Sequence, residues 1–155
     1  GDISLTMAQT LKLSGAVVVC TPQKVAQDDA VRAARMFQQL GIPVLGVVEN
    51  MSYFVADDIP QEHGGPRTYD IFGRGGAEVM AQRLGLPFLG AVPLTTALRK
   101  HSDAGEPAKN FDPALNNGRN ADLARALEAF VTAVEGQMAL ASLNSGSARP
   151  TLSIS

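Results

Sequence analysis

The chain has 155 residues, 45% of them apolar and 18% charged, with a formal net charge of −2. That length suits one globular unit, and the apolar content excludes a disordered charged tail as the main character of the chain. There is no clustered Lys/Arg excess of the kind a nucleic-acid footprint needs, and the longest apolar run, Ala16–Cys20, is strand-sized rather than the ~20 residues of a membrane span.

In chain order, Asp2 is placed to cap a short helix within Gly1–Leu13. Gly15–Thr21 follows, a β-branched run that predicts a strand buried on both faces, as in a parallel sheet. Pro22 ends it. From about Lys24, Ala26, Ala30, Ala33, Ala34, Phe37 and Leu40 recur at helical spacing, and Gly41 is placed as the C-terminal cap. The unit then repeats. Pro43–Val48 predicts a second buried strand, ending in Glu49-Asn50-Met51-Ser52, and Asp57–Thr68 a long polar loop. Gly73–Gly76 leads into a helix through Val79, Met80 and Leu84, capped by Gly85. Pro87–Val92 predicts a third strand, Thr95 or Thr96 the cap of a short helix through Leu98 and Arg99, and about Ala121–Ala141 the last helix. The stripe of that helix is Leu123, Leu127, Phe130, Val131, Val134, Met138 and Ala141. Residues 1–143 form one unit on this reading, and the Ser-rich Asn144–Ser155 is expected to be a disordered tail.

Buried strands alternating with helices predict an α/β fold, a parallel sheet with flanking helices. Ligands in such sheets sit beyond the carboxyl ends of the strands, here Thr21-Pro22-Gln23, Glu49–Ser52 and Pro93-Leu94-Thr95. The Asn50 amide offers a donor and an acceptor, which match the N6–H/N7 edge of adenine, and Pro93 could give the base a flat apolar wall. The simpler use of Asn50 is to end the strand with an Asx turn. Gly73–Gly76 could cradle an anion at a helix start, although a plain turn and helix entry is the commoner use. No stretch has the pattern G-x-x-x-x-G-K-[ST]. Cys20, the one cysteine, reads as a core residue between valines, and a single thiol gives no internal disulfide or cysteine-only metal site. Asp57, Asp58, Glu62 and His63 match metal ligands by type but not by spacing, and a solvated loop is expected; His101 is expected at the surface. No catalytic or metal residue is assigned. Position 1 is Gly and no signal-peptide pattern opens the chain, so a reduced, cytoplasmic protein is expected.

Several segments together resemble one family: Thr21-Pro22-Gln23 with Val25-Ala26 and Asp29-Ala30, Gly46–Phe54, Asp70–Gly73, Gly75–Glu78 and Leu89–Leu94. In order and spacing they resemble the Mrp/ApbC family over roughly Gly1 to Pro107. These are MinD/ParA-like P-loop ATPases with a deviant Walker A loop that act as iron–sulfur cluster carriers. The resemblance implies a partial P-loop NTPase fold, with Asn50 contacting the adenine of ATP and Pro93 bordering it. It also implies a homodimer, and apo iron–sulfur proteins as clients. Gly1-Asp2 is similar to the end of the family's Gly-Thr-Gly-Asp stretch, so the chain is expected to be the C-terminal part of such an ATPase. The phosphate-binding loop, the Mg²⁺ ligand and the strands that cover part of its apolar surface would then come from elsewhere, and this chain alone is not expected to hydrolyse ATP. Many members carry Cys-x-x-Cys between the Tyr-Phe and Asp-Ile-Phe-Gly motifs. Here Val55–Tyr69 has no cysteine, and carboxylates with one histidine are a poor substitute for thiolates, so cluster binding by that route is not expected. Two other classes remain: a ParA/MinD-like positioning or scaffold ATPase, and a non-catalytic interaction module. Membrane docking wants a basic amphipathic helix, whereas Ala121–Leu143 sets Arg125 against Asp122, Glu128 and Glu135.

Overall fold

The computed structural model describes residues 2–146. Its elements are α1 (Asp2–Thr10), β1 (Ala16–Cys20), α2 (Lys24–Gln39), β2 (Val44–Glu49), β3 (Phe54–Ala56), β4 (Arg67–Tyr69), α3 (Gly76–Leu84), β5 (Phe88–Ala91), α4 (Thr96–Asp103) and α5 (Ala121–Gly146). Short 3-10 turns occupy Gln61–His63 and Pro107–Phe111. β1, β2 and β5 form a parallel sheet in the order β1-β2-β5, as the repeated strand–helix pattern predicts.

Two apolar clusters lie on the two faces. On one, Val18, Cys20 and Val47 pack under Ala30 and Ala34 of α2 and Ala77, Met80 and Ala81 of α3. On the other, Val48, Leu89 and Val92 meet Leu123, Leu127, Phe130 and Val134 of α5. The small alanines let α2 and α3 approach the strands closely. Gly46 serves the same end: a Cβ there would lie 2.5 Å from the Pro87 carbonyl oxygen, so only glycine lets β2 pass the start of β5.

β2 is covered on both faces, as expected, but β1 is not. Alternation sends Val18 and Cys20 to the α2 side and Val19 to the other, where α5 packs over β5 and β2 and does not reach it. Val19 is 60% exposed, at the end strand of the sheet.

Three other expectations change. The polar stretch after β2 is bracketed by an antiparallel hairpin, β3 with β4, pairing Phe54 with Tyr69 and Ala56 with Arg67. The Phe54 and Tyr69 rings stack at 6.3 Å, and Val55 donates its N–H to Leu94 O at 3.0 Å, which ties the hairpin to the main sheet. α5 runs to Gly146, so Asn144–Gly146 is helical; the rest of the expected tail, like Gly1, lies outside the described residues. Within α5, Val131 and Met138 are exposed, so the buried stripe is narrower than the sequence suggests. Among the described residues no helix is long and apolar enough to cross a membrane.

Candidate functional site

The parallel ladder continues just past the strand ends. Asn50 donates its N–H to Cys20 O at 2.8 Å, Val92 to Glu49 O at 2.8 Å and Ser52 to Val92 O at 3.0 Å. These bonds set Thr21, Asn50 and Pro93 side by side at one edge of the sheet. Asn50 Oδ1 accepts from the Met51 N–H at 2.9 Å, and Met51 is held at φ 52°, an uncommon conformation for a residue with a side chain. The Asn50 carbonyl therefore serves the turn, while its Nδ2 has no protein partner among the described residues.

Asn50 stands at the head of an open groove of about 420 Å³ along the free edge of β1, lined also by Thr21, Val19, Asp29, Ala33 and Phe37. Thr21 donates to Gln23 Oε1 at 3.1 Å. Pro93 does not reach the groove: its ring is among the fully buried side chains and presents no open face to a base.

Gly73–Gly76 does receive an anion, and it is one of the chain's own. Glu49, the last residue of β2 and 1% exposed, accepts from Ala77 N–H at 2.8 Å, Gly75 N–H at 3.3 Å and Ser52 Oγ at 2.6 Å. A carboxylate at a helix N-terminus satisfies backbone donors that the helix leaves free. A Cβ on Gly76 would fall 2.0 Å from Gln27 Nε2, itself bonded to Pro22 O at 2.8 Å, so this helix entry is closely packed. With Glu49 in place, the amides of Gly75 and Ala77 are not open to a phosphate.

The same device recurs at α4. Asp57, expected in a solvated loop, is buried and accepts from Thr96 Oγ1 at 2.7 Å and Ala97 N–H at 3.1 Å. Of Thr95 and Thr96, the two candidate caps, Thr95 caps the helix, accepting from Leu98 N–H at 3.0 Å. Asp58, Glu62 and His63 are exposed. Among the described residues no three His, Cys, Asp or Glu side chains gather where they could hold a metal ion. His101 is half-buried rather than exposed, with Nδ1 2.8 Å from Asn110 Oδ1. Cys20 is buried, and burial, with the Glu49 charge behind it, pushes its thiol up to about 11. The roles of Glu49 and Asp57 were missed because Glu49 reads as the end of a strand and Asp57 as the start of a solvated loop. Only the fold shows which helix start it meets.

The residues present fit a nucleobase better than a phosphate or Mg²⁺: the Asn50 Nδ2, without a protein partner among the described residues, lies on a groove, and the N-terminus of α3 already holds Glu49. A family model described as ParA, NUBPL iron-transfer P-loop NTPase, matches residues 1–134. An iron-sulfur cluster carrier protein of Synechocystis is 43% identical over 143 residues, covering 92% of this chain and 37% of that protein. The Deinococcus radiodurans protein of the same name is 44% identical over 144 residues, with 93% and 37% covered. The iron-sulfur cluster transfer protein NUBPL of Dictyostelium discoideum is 44% identical over 120 residues, with 77% and 35% covered. The chain thus spans little more than a third of the length of these relatives. Among solved structures, a nucleotide-binding protein from Archaeoglobus fulgidus in complex with ADP matches with TM-score 0.57 and 36% identity, covering 69% of this chain and 42% of that one.

Proposed function

The chain belongs to the ParA family of NUBPL-type iron-transfer P-loop NTPases, and from that membership we propose that it is the base-binding C-terminal part of an ATP-binding iron–sulfur cluster carrier. The observation that supports the ATP reading is the free Nδ2 of Asn50 at the head of the β1 groove. The amide would donate to a ring nitrogen of adenine while its oxygen keeps the Met51 turn. Pro93, being buried, acts from behind by fixing the chain beside that turn. ATP, when bound, supplies a transferable phosphoryl group. Its phosphates and Mg²⁺ are assigned to residues beyond this chain, since the α3 amides already hold Glu49.

The cluster is cargo in this reading. Four thiolates commonly hold an iron–sulfur cluster, and Cys20 is a poor candidate because it is buried and its thiol is held protonated. Transfer to apo iron–sulfur proteins and a cytoplasmic homodimer are proposed on the relatives' names and on the resemblance.

The test is calorimetry of ATP binding to this chain joined to its upstream half, with and without Asn50→Ala. The variant is expected to bind more weakly by about 1–3 kcal/mol, the usual effect of removing one partner of a buried hydrogen bond. Unchanged affinity assigns Asn50 to the turn alone.

A further inference from the structure

α2 and α3 lie side by side on one face of the sheet and leave between them a groove of about 640 Å³. Its floor is apolar: Val31, Val79, Met80 and Leu84. Its walls carry four cationic side chains, Lys24, Arg35, Arg74 and Arg83, against one carboxylate, Asp28. The whole chain has a net charge of −2, so this concentration of positive charge is local. Arg74 is committed, 3.7 Å from Asp70 and 4.6 Å above the Tyr53 ring. Lys24, Arg35 and Arg83 are exposed and take part in no ion pair among the described residues. Like charges on two adjacent helices repel, and an anionic partner removes that repulsion.

We propose that the α2–α3 groove docks an acidic peptide segment of a partner protein, with one apolar side chain of that segment seated on the floor between Val31, Val79 and Leu84. Cationic walls over an apolar floor match a segment that alternates carboxylates with a Leu-like anchor, as helix and peptide grooves commonly do. A nucleic-acid strand fits less well. Single strands are held by aromatic stacking as well as charge, and among the described residues no aromatic side chain lines this groove. The site is separate from the Asn50 groove and does not depend on nucleotide binding there.

Fluorescence anisotropy of the full chain with a labelled synthetic peptide of Asp, Glu and one central Leu tests this. Saturable binding is expected, weaker at about 300 mM than at about 50 mM salt. The Arg35→Glu/Arg83→Glu variant should bind at least roughly tenfold more weakly, with circular dichroism confirming its fold, because opposed charges then become like charges. Replacing the peptide's Leu by Ser should weaken binding to the unaltered chain. Lys100→Glu, a reversal on α4 away from the groove, should leave it unchanged. Absence of saturable binding overturns the proposal. So does an equal loss in Lys100→Glu, which would make the effect one of net charge. A single-stranded oligonucleotide binding as tightly, with the same dependence on Arg35 and Arg83, would assign the groove to phosphate tracking instead.

Discussion

Glu49 joins three segments through one carboxylate: the end of β2, the Ser52 turn and the first turn of α3. Removing it leaves the Ala77 N–H buried without an acceptor and takes away the acceptor of the Gly75 N–H, while the Ser52 hydroxyl can rotate to another partner. Glu49→Ala is therefore expected to lower stability by about 2–4 kcal/mol, read as a shift of the urea midpoint. An unchanged midpoint would mean that water satisfies the α3 N-terminus. Cys20 gives a pH dependence with a definite sign. Its ordinary value is 9.0, and the folded chain raises it to about 11. Between those values the unfolded chain has lost the thiol proton and the folded chain has kept it, so stability must fall as pH rises. Urea midpoints compared at about pH 8 and about pH 10.5 should show a steeper decline in the unaltered chain than in Cys20→Ala. Equal slopes would show that the thiol titrates normally in the fold.

In the three-stranded sheet, β1 is the end strand with one face left open. An end strand with an outward valine presents unpaired backbone and apolar surface together, which is a template for pairing with another chain. The chain alone is expected to self-associate with rising concentration, and Val19→Lys should reduce this in sedimentation velocity because an edge lysine resists pairing. If the two sediment alike, β1 is not the contact. The hairpin β3–β4 is exposed along β4 and owes its order to other contacts. Its strands are three residues each, too short to be stable alone, and they persist through the Phe54–Tyr69 stack and the bond from Val55 to Leu94. Its one sequence signal is the aromatic–β-branched pairs Phe54-Val55 and Thr68-Tyr69 on either side of a Gly/Pro-rich turn.

For the molecule as a whole, the β1 groove and the filled α3 N-terminus lead to the same expectation. The Asn50 amide is the group proposed to meet a base, and the α3 N-terminus already holds Glu49. Purified chain is expected to show no ATP hydrolysis above background in a phosphate-release assay. Turnover abolished by Asn50→Ala would overturn that. Anaerobic reconstitution should leave little iron or sulfide on the chain, and near-stoichiometric iron lost in Cys20→Ser would show that the thiol is a ligand.

The order of β1, α2, β2, α3, β5, α4 and α5 was legible in the sequence, because apolar runs, helical spacing and helix-ending glycines are local signals written every few residues. The strand-end position of Asn50 was legible for the same reason: where a buried strand stops fixes which residue faces the crevice. What the chain alone could not show is which neighbours each residue meets. Val19 and Val18 are identical in sequence terms, yet one is exposed and the other buried, because α5 packs mainly over β5 and β2. Pro93 sits at the expected strand end but is fully buried. Glu49 looks like a strand end and Asp57 like a solvated loop acid, and both are instead buried acceptors on which two helices begin. These outcomes depend on contacts between segments far apart in the chain, which side-chain periodicity does not encode and only tertiary packing decides.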